Sequence, residues 1–127
     1  MTIGHVITEY IGEERKRHLK LVVRPPMMES GTFSIYANRK KEKENEPDWY
    51  VWFNYTRTHD KVKFPSTQIG ALWNRVGKHS GNKYFGGYIE TPAAQGGKLY
   101  ISIVEAKKEG ETLPYSHNVL WSAPSEN

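Results

Sequence analysis

The chain contains no cysteine, which excludes disulfides, thiol nucleophiles and cysteine-ligated zinc, and fits a reducing or indifferent compartment. It also lacks any apolar run near the roughly 20 residues that cross a bilayer as a helix. Its first stretch, MTIGHVITEYIGEERKRH, places glutamates and a histidine where an export signal needs a continuous apolar segment. A cytoplasmic protein with no membrane partner is the expectation. The single sequon, Asn54-Tyr55-Thr56, is then a chance match. There is no internal repeat and no low-complexity tract.

The usual frames of catalysis are missing too. No nucleophile elbow appears, and the five histidines, His5, His18, His59, His79 and His117, never fall at the i, i+4 spacing that aims two imidazoles at one metal. Acidic residues gather at Glu13-Glu14, Glu42 to Asp48 and Glu105 to Glu111 among lysines and arginines, so no isolated acid and base pair stands out. Gly96-Gly97-Lys98 lacks the spaced glycines and the following Ser or Thr of a phosphate loop and reads as a hairpin turn. The expectation is a non-catalytic protein with no cofactor and no metal.

What is present suffices for one packed domain over residues 1–127. The 127 residues are 37% hydrophobic and 13% aromatic, enough for a core, and the 25% charged content is ordinary for a globular chain. A net charge of +4 makes a polyanion a plausible partner.

Short runs of β-branched and aromatic residues, bounded by glycine, proline or charge clusters, predict strands near 3–10, 18–24, 32–38, 49–55, 83–90, 98–105 and 116–121. The polar turn from Gly12 to Arg17 and the break from Pro25 to Gly31 suggest an antiparallel meander. The stretch Arg39 to Asp48 carries no apolar residue except Pro47 and predicts an exposed loop. One short helix is predicted near 66–75. Ser66 can cap it, and Ile69, Leu72, Trp73 and Val76 follow i, i+3, i+4, i+7, although Gly70 weakens the pattern. A glycine-rich hairpin turn follows at 77–81. The fold class is mainly β and antiparallel, an OB-like partly open barrel or a strongly twisted sheet, with an α+β sheet as the alternative.

The aromatic content has a pattern. Strand alternation puts Trp49, Val51, Phe53 and Tyr55 on one face, with Tyr50, Trp52 and Asn54 on the other. Phe85 and Ile89 share a face opposite Tyr84, Gly86, Tyr88 and Glu90, while Leu99, Ile101 and Ile103 lie opposite Tyr100 and Ser102. Val51, Phe53, Trp73, Phe85, Ile89, Ile101 and Ile103 are the candidate core. Tyr50, Trp52 and Tyr88 are candidate stacking rings for unpaired bases. Arg15, Lys16 and Arg17, and in a second hairpin Arg39, Lys40, Lys41 and Lys43, are candidate phosphate contacts, though glutamates flank both clusters.

Four anchors in order resemble a known family: Thr2-Ile3-Gly4, then Asn45-Glu46-Pro47-Asp48 leading into Val51, then Ile69-Gly70-Ala71-Leu72-Trp73, then Leu120-Trp121-Ser122-Ala123-Pro124. Lys83-Tyr84-Phe85 to Glu90-Thr91-Pro92 and Tyr100 to Glu105 lie between them and fit the same pattern. The chain resembles the bacterial domain-of-unknown-function family numbered 736, small proteins often encoded on conjugative plasmids and other mobile elements. The longer N-terminal hairpin, Pro25-Pro26 and the residues Tyr55 to Ser66 depart from the pattern, as in a divergent member. The resemblance implies a setting, mobile DNA, without an established activity.

Two functions fit these residues. One is binding of single-stranded DNA or RNA through the aromatic face and basic hairpins. The other is a protein-interaction or homo-oligomerisation module that uses the same face with tyrosine and tryptophan anchors. Salt separates them, because phosphate contacts weaken steeply with ionic strength.

Overall fold

A computed structural model describes residues 1–24, 31–53, 67–91, 95–106 and 113–122. Eight antiparallel strands form it: β1 (Thr2–Ile11), β2 (Lys16–Val23), β3 (Gly31–Ala37), β4 (Trp49–Phe53), β5 (Thr67–Val76), β6 (Lys83–Glu90), β7 (Lys98–Glu105) and β8 (His117–Trp121). Each pairs with its chain neighbour, and β8 returns to β1, so the meander closes into a barrel. The expected antiparallel barrel is present, but it is closed where a partly open one was expected, and closure leaves none of the eight described strands at a sheet edge. The break at 25–30, Asn54 to Thr56 with its sequon, His59, Ser66 and Glu111 lie outside the described residues.

The predicted helix near 66–75 is corrected: residues 67–76 form strand β5, paired with β4 and β6. The reason is a β-bulge. Val51 faces Gly70 while Trp52 faces Gln68, which leaves Ile69 as an extra residue. Ile69 and Leu72 therefore both pack into the interior although they are three apart, the spacing that resembles a helical face. Beyond Leu72 the strand alternation resumes and Trp73 points outward. A second bulge, between Thr2 and Gly4 on β1, likewise leaves Ile3 without a partner on β8, and Ile3 is buried in the same core as Val6.

Inward residues meet in register around the ring. Leu21 faces Val6, Ile35 faces Val51, and Ile103 lies between Phe85 and Val119. The core comprises these residues with Val23, Leu72, Ile89, Leu99 and Ile101, while Trp49, Phe33, Leu19 and Phe85 pack against it. Four expected core members, Val51, Ile89, Ile101 and Ile103, are buried. Phe85 packs against the core half-buried, and the half-buried Phe53 meets Phe33 in a tilted contact with ring centroids 5.9 Å apart. Trp73 is corrected from core to outer wall. Gly87, opposite Leu72 and Ile101, lets β6 lie close to β5, because a Cβ there would collide with the Ala71 carbonyl.

Among the described residues the interior leaves little room. An apolar space lined by Val6, Leu19, Ile35, Trp49, Leu72, Phe85, Ile103 and His117 amounts to only about 20 Å³, room for about one water molecule. His117 closes it at the end of the barrel that carries the 12–15, 38–48 and 77–82 connections. Its imidazole accepts or donates at Nδ1 to Ser116 Oγ at 2.8 Å. Loss of hydration holds its pKa below the ordinary value, with Glu105 pulling it up and Arg17 pushing it down. A ligand larger than water has no place in that space.

Candidate nucleic-acid interface

Directly opposed residues on antiparallel strands share a face, so the outer wall can be read from the pairing. Trp73 faces Gly86, which faces Ser102, and Arg75 faces Tyr84. One step along, Ala71 faces Tyr88 and Tyr88 faces Tyr100. Gly86 has no side chain to raise the floor, so the rings around it enclose an open groove of about 450 Å³. Trp73, Tyr84, Tyr88 and Tyr100 line it with Arg75, Lys98 and Ser102. A Cβ at Gly86 would press on the Arg75 stem, 2.9 Å from its Cδ and Nε, so the missing side chain also gives that arginine its path across the floor.

Ring contacts hold the walls. Trp73 and Tyr88 lie 6.1 Å apart and tilted, Tyr88 and Tyr100 6.5 Å apart and near edge-on. Lys98 Nζ sits over the Tyr88 ring, 4.4 Å from its centroid, which places a positive charge beside the stacking surface. Ser102 and Ser122 share a 2.6 Å hydroxyl contact at one side, where Ser122 N also donates to the Tyr100 carbonyl. Rings, two cations and hydroxyls can stack flat π-systems, neutralise phosphates and hydrogen-bond polar edges.

The 38–48 loop adjoins this groove and is pinned there. Trp73 Nε1 donates to the Asn45 carbonyl at 3.0 Å, and Asn74 N donates to Asp48 Oδ2 at 2.7 Å. Asp48 also accepts from Lys41 Nζ at 2.7 Å, and its own amide donates to the Leu72 carbonyl. The hydrogen bond from Lys41, followed by that from the Asn74 amide, holds the Asp48 carboxyl below its usual pKa despite an opposing effect of burial. Lys41 is therefore committed to the latch. Arg39, Lys40 and Lys43 are exposed on the same loop.

Of the three candidate rings, Tyr88 lies in the groove. Tyr50 stands on the same outer face, across Ala71 from it, and its hydroxyl accepts from Asn38 Nδ2 at 3.4 Å. Trp52 faces outward opposite Ser34 and Gln68, half-buried and further along β4. The two basic hairpins share one end of the barrel, but Arg15, in the turn between β1 and β2, and Lys16 and Arg17, at the start of β2, stand across the ring from β5 and β6. There Arg15 lies over the Tyr10 ring and Lys16 is 3.5 Å from Glu14, so the structure does not bring this cluster to the groove.

Trp73, Arg75, Tyr84, Lys98 and Tyr100 were not among the candidates. The signal for two of them was available: reading 67–76 as a strand puts Ala71, Trp73 and Arg75 on one face by simple alternation. Among the described residues no group of three or more His, Asp or Glu could hold a metal, and no helix is long and apolar enough to cross a membrane.

Residues 9–124 match the sequence family described as "Protein of unknown function (DUF736)". No curated protein and no solved structure matches the chain.

Proposed function

The chain belongs to the DUF736 family, and from that premise we propose that it is a non-catalytic, cytoplasmic accessory protein that binds single-stranded nucleic acid on the outer wall of its barrel. The groove of Trp73, Tyr84, Tyr88 and Tyr100 with Arg75 and Lys98 at its surface carries this reading. Stacking on such rings tolerates any base, since every base has a π-face, and the cations supply salt-dependent phosphate contacts. The net charge of +4 favours a polyanion. The apolar space among the described interior residues has room for about one water molecule, in contrast to barrels that hold a small molecule within, so the reading places the ligand on the outer wall.

The likeness to an OB fold is one of use: a curved antiparallel wall carries exposed rings, whereas an OB fold threads five strands in Greek-key order. A mobile-DNA setting, implied by the resemblance of the anchor motifs, suits a protein that handles transiently single-stranded DNA. Fluorescence anisotropy of a labelled unstructured oligonucleotide tests the reading. Binding at low salt that falls steeply as salt rises supports it. Absence of binding at low salt refutes it and leaves the protein-interaction alternative.

A further inference from the structure

The groove continues into an aromatic row that crosses the barrel wall. Tyr36 on β3 faces Tyr50 on β4, Tyr50 faces Ala71 on β5, Ala71 faces Tyr88 on β6, and Tyr88 faces Tyr100 on β7. Four of five consecutive outward positions, in register around five strands, are tyrosines. Tyr36, at the far end, is 46% exposed, and Tyr50, Tyr88 and Tyr100 are half-buried. Cations attend the groove end. Lys98 lies over Tyr88 and Arg75 crosses the groove floor. At the other end Tyr50 contacts Asn38, whose Oδ1 accepts from the Lys40 amide, so the row runs to the foot of the basic loop.

Resting on the nucleic-acid reading above, we propose that the ligand is a single strand laid crosswise over the β-strands along this row, from the groove to Tyr36. Neighbouring strands are about 4.8 Å apart, so the four steps from Tyr100 to Tyr36 span about 19 Å. At about 3.4 Å per stacked nucleotide this distance takes about six nucleotides, and fewer where the bases are splayed. That is the low end of the roughly 4 to 16 nucleotides covered by single barrel-type modules. The site is a short one, with its two ends on β7 and β3.

A length series of oligothymidylates, titrated against the wild-type protein and two variants, tests the placement. Affinity is expected to climb to about five or six nucleotides and then level off. Tyr36→Ala is expected to weaken hexanucleotide binding by about 5- to 150-fold, the equivalent of about 1 to 3 kcal/mol for one stacked base, while leaving dinucleotide binding unchanged. Tyr36→Phe keeps the ring and is expected to bind as wild type. Unchanged hexanucleotide binding by Tyr36→Ala, affinity already maximal at two nucleotides, or equal losses for both lengths would overturn the crosswise track and leave the groove reading standing. Failure of the wild type to bind any length overturns both.

Discussion

Leu72 and Trp73 are neighbours in sequence with opposite surroundings, and truncating each in turn separates a strand from a helix. Leu72 is 1% exposed, faces Trp49 on one side and Gly87 on the other, and lines the small apolar space inside the barrel. Leu72→Ala removes buried carbon and leaves a void that Gly87 cannot fill, so a loss of about 3 to 5 kcal/mol is expected. Trp73 stands on the outer wall, where its indole N–H donates to Asn45 O and its ring meets Tyr88. Losing one partly exposed hydrogen bond and one tilted ring contact is expected to cost only about 1 to 2 kcal/mol. Urea denaturation of both variants, followed by tryptophan fluorescence and circular dichroism, gives the two values. Because small domains hold about 5 to 15 kcal/mol of stability, the difference is easily resolved. Equal and large losses at both positions would contradict the assignment of 67–76 as a strand with alternating faces.

Other outcomes follow from the charges. His117 has a lowered pKa in the folded state, so the unfolded chain takes the proton first as pH falls; stability is full above the ordinary histidine value of about 6.5 and declines below it toward the folded value. His117→Gln is expected to flatten that decline in melting temperatures recorded between about pH 5 and 8. Asp48 also has a lowered pKa, so its contribution is present above the ordinary carboxylate value of 3.8 and lost as pH falls through the folded value. Asp48→Asn is expected to speed amide exchange at Asn74 and to loosen the loop beside Trp73, measured by hydrogen exchange. Neutralising Arg75 and Lys98 together is expected to flatten the salt dependence of oligonucleotide binding by about 0.7 in slope for each lost phosphate contact, whereas neutralising Arg15 and Lys16 across the barrel is expected to change it little.

Strand positions were legible because period-2 alternation survives wherever a wall has a dry side and a wet side. Lys83–Glu90 and Lys98–Glu105 match their expected bounds, and Tyr50 and Trp52 lie opposite Trp49 and Val51 as alternation requires. Residues 67–76 misled because a single extra residue at Ile69 moves Ile69 and Leu72 onto one side at helical spacing. Pairing over such a bulge is a long-range property that local spacing does not encode. That error displaced Trp73 to the core and hid Arg75, so the groove was seen only through Tyr88. Closure through β1 and β8 was hidden for the same reason, since their partners lie more than 100 residues apart. The separation of the two basic hairpins follows from closure: hairpins alike in sequence stand on different sides of the ring.

The most direct test of the outer-wall interface is photo-crosslinking of the intact protein to a bromouracil-substituted hexanucleotide at low salt, with the attached peptides mapped by mass spectrometry. The expected result is attachment within 67–76, 83–90 and 98–105, at Trp73, Tyr84, Tyr88 or Tyr100, and its suppression by an excess of unlabelled single strand. Attachment confined to Tyr10 and the 12–17 hairpin, or no specific attachment under conditions where the protein is folded, would contradict the account.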